Sequence, residues 1–172
     1  MVSQPSLLIV LRFRDIEVDL GETITKHRQI IEDHDCCWWG WLSREYELNP
    51  HKELDALHTT LTFGVTNGQY SIVLFDTGQG KLHLATCDDI KTSKKKMYSP
   101  EVELTPDYYR GKRAPAWFRL RNITDLSPET IVGRTCHAMP SASTECFTDL
   151  LGKEVKAVKD LRRQEVTLWV LT

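Results

Sequence analysis

The sequence predicts an α+β fold in which a mixed or antiparallel sheet curls toward a small barrel and helices sit between the strands. Three observations carry this reading. Tyr70-Ser71-Ile72-Val73-Leu74-Phe75, the turn Asp76-Thr77-Gly78-Gln79-Gly80 and the alternating Lys81-Leu82-His83-Leu84-Ala85-Thr86 form a β-hairpin. Two further strand-like apolar runs, Ser6 to Arg14 and Val166 to Leu171, lie near the two ends of the chain. Helical periods are short and scattered, so no regular βαβ succession emerges, and no internal repeat or low-complexity linker interrupts the pattern.

The elements follow in order. Ser6 to Arg14 reads as a buried strand that becomes charged at its end. Gly21 and Thr23 offer capping chemistry for a helix reaching about His34, with Ile24, His27, Ile30 and Ile31 on one stripe. A tryptophan-rich strand comes next, then a polar loop from Ser43 to Pro50 and a short amphipathic helix marked by Leu54, Leu57 and Leu61. After the hairpin, Lys91 to Lys96 carries four lysines in six residues and reads as a solvated mobile loop. Pro115 leads into a strand over Ala116 to Leu120. Phe147, Leu150 and Leu151 indicate a helix stopped by Gly152, and Val155, Val158 and Leu161 continue a helical period. The chain closes on the strand-like Leu168-Trp169-Val170-Leu171 rather than a polar tail, which reads as a domain preceding another in a longer parent.

Bulk properties narrow the function. The 172 residues fit one domain with a real core, and 41% hydrophobic with 27% charged content is ordinary for a globular protein. A formal net charge of −2 gives no global pull toward nucleic acid or an anionic membrane, so such binding needs a local patch. The apolar stretch Leu7 to Leu11 is too short to span a bilayer and has no basic leader, so the expected location is cytoplasmic with no membrane partner. Five cysteines (36, 37, 87, 136 and 146) are an odd count without Cys-x-x-Cys spacing, which reads as reduced thiols, with no metal and no cofactor.

Catalytic motifs are not found. The sequence lacks a phosphate-binding Gly-rich loop, a dinucleotide fingerprint and a nucleophile elbow, and no helix carries paired histidines. His34, Asp35 and Cys36 are consecutive and cannot converge on one ion without a tight turn. Cys136 and His137 are adjacent, so their side chains diverge, and the cysteine reads as a loop residue. Asp88 and Asp89, at the hairpin's end, read as a turn or helix cap. The expected catalytic residues are therefore none, and the chain reads as a non-enzyme.

Two aromatic clusters remain. Cys36-Cys37-Trp38-Trp39-Gly40-Trp41 packs three of the five tryptophans into four residues. As a strand it reads with Trp39 on one face and Trp38 and Trp41 toward the other, Gly40 leaving a gap where a flat object fits. The bland alternative is a core strand with an overpacked aromatic corner. Tyr108 to Arg121 holds five basic residues and four aromatics, the interleaving that single-stranded or flipped-base binding requires. There the bland alternative is a polar loop entering a strand in which Trp117 is core.

The order of these elements resembles that of PUA-like domains, in particular the EVE, ASCH and YTH group. The residues that carry the resemblance are the tryptophan-glycine strand, Ile72-Val73-Leu74-Phe75, a partner strand ending near Cys87-Asp88-Asp89-Ile90, Pro106-x-Tyr108-Tyr109, and Pro115-Ala116-Trp117-Phe118-Arg119-Leu120-Arg121-Asn122-Ile123. They cover roughly Cys36 to Ile123. The resemblance implies one PUA-like domain over residues 1–172 with extensions at both ends, a small, strongly bent β-barrel and helices packed at the barrel openings. It also implies a non-catalytic module that binds DNA or RNA and holds a modified or flipped base in an aromatic pocket. Trp38, Trp39 and Trp41 would wall that pocket, with Tyr109 and Trp117 opposite, while Arg110, Lys112 and Arg113 contact phosphates. Ser43, Asn67 and the indole N–H groups would read the base edge. Two other readings stand beside it. One is a regulatory sensor domain that binds a small planar, nucleotide-like ligand or a partner protein and controls a fused or partner effector domain. The other is an enzyme on nucleotides or nucleic acid, which needs a Lys/Glu or Thr/Lys pair that no spacing indicates.

Overall fold

A computed structural model describes residues 7–44, 47, 50–52, 54–55, 70–137, 152–163 and 166–172. Leu8–Phe13 (β1) is buried on both faces: Leu8 and Val10 point into one apolar cluster, Ile9, Leu11 and Phe13 into another. That double burial explains why the strand reads as an unbroken apolar run instead of an alternating one. Tyr70–Asp76 (β3) lies parallel to β1 on one side, and Leu168–Leu171 (β7) pairs antiparallel on the other. The expected hairpin forms between β3 and Lys81–Met97 (β4). Its turn is held by Asp76, whose carboxylate accepts from the Gly78 and Gln79 amides, and Gly80 takes the left-handed conformation at φ 67°. Ala114–Asp125 (β5) pairs with β4, Cys37–Trp41 (β2) with β5, and Cys136–His137 (β6) with β7.

The result is a mixed seven-stranded sheet in the order β2-β5-β4-β3-β1-β7-β6, with few helices. It is not closed into a barrel by hydrogen bonds, which corrects the expected closed form. The two edge strands, β2 and the two-residue β6, pair only with β5 and β7 and not with each other. Side chains stitch the seam instead. The Trp41 indole donates to Thr167 Oγ1 at 2.8 Å, and Thr167 is itself held against β1 by its carbonyl, which accepts from the Arg12 amide at 2.9 Å.

Glu22–His34 (α1) matches its expected bounds and packs on β2 and β5. Its first turn is capped from outside: Asp15 accepts from the Gly21 and Thr23 amides at 2.9 and 3.1 Å. Thr23, Ile24 and His27 are buried, and Ile30 and Ile31 cover the cluster beneath. A one-turn helix, Asp107–Arg110, precedes β5.

Four expectations are corrected. Lys91 to Lys96 is a continuation of β4, not a loop: Lys91 and Thr92 pair with Trp117 and Ala116 of β5, and Ser93 to Lys96 stay extended as a bulge before Met97 pairs with Ala114. Asp88 and Asp89 sit within β4 at an irregularity in its register, where Asp88 accepts from both Arg119 and Arg121. The period through Val155, Val158 and Leu161 becomes a 3-10 helix over Val158–Arg163. Finally, Trp39 and Trp41 share a face with Cys37, while Trp38 points the opposite way with Trp117, as a two-residue repeat demands. Leu54 is buried in the core, but Leu57, Leu61, Asn67, Cys146, Phe147, Leu150 and Leu151 lie outside the described residues.

Candidate functional site

Gly40 faces Trp117 across the β2–β5 ladder, and a Cβ at position 40 would lie 2.8 Å from that indole. The gap beside Gly40 is thus filled by the protein's own ring. Trp38 and Trp117 form a packed cluster with Tyr109 and Ala114, and both indole N–H groups are satisfied, Trp38 by Glu101 at 3.1 Å and Trp117 by the Met97 carbonyl at 2.9 Å.

On the other face, Trp39 is enclosed by His27 (centroids 4.3 Å apart) and by the edge-on ring of Phe13 at 5.1 Å. His27 Nδ1 lies 2.7 Å from the Thr23 carbonyl. A carbonyl only accepts, so this nitrogen carries the proton and Nε2 is left as an acceptor without a partner. Burial lowers the His27 pKa from 6.5 to about 4 and pushes the Tyr109 phenol well up, so this aromatic wall is uncharged at neutral pH. Tyr109 reaches Trp39 of β2 and Trp117 of β5, each at 6.4 Å.

A cavity of about 360 Å³ opens at the seam between β2 and the end of β1. Trp39, Trp41 and Tyr109 line it, and so do three arginines that the sequence pattern does not single out: Arg12, Arg14 and Arg44. No carboxylate is among its described lining residues. Glu47, the nearest by chain, accepts from the Arg44 amide at 2.9 Å and from the Thr167 amide and hydroxyl at 2.8 and 2.6 Å. The cavity thus combines apolar ring surface with three arginines, of which Arg12 and Arg44 also have partners within the protein, a lining suited to a planar anion.

The structure brings Trp39, Trp41 and Tyr109 together at this cavity and places Trp38 and Trp117 outside its lining. Arg110, Lys112 and Arg113 also lie elsewhere. Arg110 donates to the Thr105 carbonyl at 3.0 Å and pairs with Asp107 at 3.1 Å, Lys112 pairs with Glu17 at 2.6 Å, and Arg113 lies over the Tyr98 ring at 5.9 Å. Ser43 donates its amide to the Trp41 carbonyl. The only sequence hint of the arginine rim is the charged end of the first strand, where Arg12 and Arg14 flank Phe13.

These features define a small α+β domain whose sheet curls around a buried aromatic cluster. Its family follows from comparison: the Pua-like family model matches residues 9–172, and the chain belongs to the PUA-like family. PUA-like domains are commonly nucleic-acid binding modules. The match extends on both sides of the Cys36 to Ile123 stretch that carries the resemblance in the sequence. No curated protein and no solved structure matches the chain.

Proposed function

We propose that this protein is a non-catalytic nucleic-acid binding module that takes an unstacked base, flipped or modified, into the seam cavity. The carrying observation is that cavity itself, where Trp39, Trp41 and Tyr109 meet Arg12, Arg14 and Arg44. Stacking on an aromatic ring contributes on the order of 1–3 kcal/mol per base, and the arginines complement the adjoining phosphate. The three rings are only 2–5% exposed, so a base gains stacking area by displacing rim side chains such as Leu42 and Ile16. Discrimination among bases comes from polar groups at the floor, since a buried donor left unpaired is costly. A cytoplasmic setting is part of this proposal, supported among the described residues by the free, buried cysteines 36, 37 and 87.

The test is tryptophan fluorescence titration with short single-stranded DNA and RNA, with and without base modification, on the wild type and on Arg14→Ala/Arg44→Ala. Quenching by a strand, weakened about tenfold or more in the double variant, is the expected result. Absence of any spectral response to strands would sink the proposal. Quenching by free nucleotides alone would favour the second reading, a sensor for a nucleotide-like ligand, which the overall charge of −2 also suits.

A further inference from the structure

The lysine run of β4 is the most concentrated charge on the molecule, and the fold gives it an unusual setting. Thr92 pairs with Ala116 and Met97 with Ala114, so the four residues Ser93 to Lys96 stand opposite the single Pro115. Proline offers no N–H to a ladder, and the β4 segment bulges where that donor is missing. Lys94, Lys95 and Lys96 are exposed there. Next to them Tyr98 is 57% exposed, with the Arg113 guanidinium over its ring.

Ion pairing separates this group from its neighbours. Lys91 is paired with Asp89, Arg110 with Asp107 and Lys112 with Glu17. Among the described residues, Lys94, Lys95, Lys96 and Arg113 are in no ion pair. A chain with a net charge of −2 thus keeps four unneutralised cations and an exposed ring in one place. Free cations beside an aromatic face match a flexible phosphate backbone whose bases are available for stacking.

Position links the group to the cavity. Trp41, Ala116 and Thr92 form one row across β2, β5 and β4. Two strand spacings, about 10 Å, separate the cavity wall from the lysine bulge. We propose that the bulge, Lys94 to Lys96 with Arg113 and Tyr98, is the track for a single-stranded nucleic-acid backbone whose base occupies the seam cavity. This rests on the reading of the cavity as a base site, and it replaces Arg110 and Lys112 as the principal phosphate contacts.

The test uses fluorescein-labelled oligouridylate and oligothymidylate, with binding followed by anisotropy over a range of potassium chloride. Lys94→Ala/Lys95→Ala/Lys96→Ala is compared with the wild type and with Arg110→Ala. In parallel, uridine and thymidine monophosphates are titrated against tryptophan fluorescence. Expected is a slope of log affinity against log salt shallower by about 2 in the triple variant, from about 0.7 per phosphate contact. Arg110→Ala should leave the slope within error, and the triple variant should leave the monophosphate titration unaltered. An unchanged oligonucleotide slope in the triple variant overturns the track, and so does a wild type that binds no oligonucleotide. Monophosphate quenching with an unchanged oligonucleotide slope leaves the cavity reading standing, whereas monophosphate quenching without any oligonucleotide binding favours the sensor reading. A slope that is lost in the triple variant while the monophosphates and strands leave the tryptophans silent would keep the track and remove the cavity.

Discussion

Gly40 illustrates how one absent side chain sets local packing. Without a Cβ, position 40 lets the Trp117 ring lie flat against β2, and an added methyl would meet that ring at 2.8 Å with ordered neighbours behind it. Gly40→Ala should cost about 1–3 kcal/mol, read as a lower urea midpoint at unchanged slope. His27 makes a second residue-scale prediction. Its pKa falls from 6.5 to about 4 because burial disfavours the cation, with the Thr23 hydrogen bond opposing. The unfolded chain therefore takes up this proton at higher pH than the folded protein does. Stability from the neutral imidazole is complete above pH 6.5 and is lost as pH falls from 6.5 toward 4. Urea unfolding should show a loss of roughly 2 kcal/mol between about pH 7 and about pH 5. His83, lowered by burial and then by Arg28, acts in the same direction. His27→Gln should flatten the dependence, and an equally steep profile in that variant would assign the effect to other groups.

Among the elements, the seam between β2 and β1 is held by the Thr167 side chain where a barrel would have a ladder. Thr167 Oγ1 accepts from Trp41 and donates to Glu47. Thr167→Val keeps the shape and strands both partners, so it should cost about 1–3 kcal/mol. It should also shift tryptophan emission, because Trp41 loses its acceptor; unchanged emission and stability would mean the seam closes by packing alone. The hairpin and α1 were legible because their signals are local, an Asx-type turn between alternating strands and an apolar stripe of helical period. The lysine strand was not, since it is anchored by β5 only at Lys91, Thr92 and Met97 and nothing in Lys91 to Lys96 favours a strand by itself.

Over the whole molecule, the sheet separates two apolar clusters, one under α1 and one under Val158–Arg163. Cys37 and Cys87 are fully buried in the first, and burial pushes both thiols far above their ordinary range. Neither should react with an aromatic disulfide reagent until the domain unfolds, so their labelling rate should track urea concentration through the transition. Prompt labelling of either in native buffer would show that this core opens locally.

Patterns between near neighbours were enough to read the strands of the hairpin, the first helix, the α+β class and the resemblance to the PUA-like family. They also singled out Trp39, Trp41 and Tyr109. Long-range packing alone put Trp38 and Trp117 in one cluster outside the cavity's lining and gathered Arg12, Arg14 and Arg44 along it. The physical reason is the seam. It joins the end of β1, the edge of β2 and Thr167, segments far apart in the chain whose meeting no pattern between near neighbours encodes.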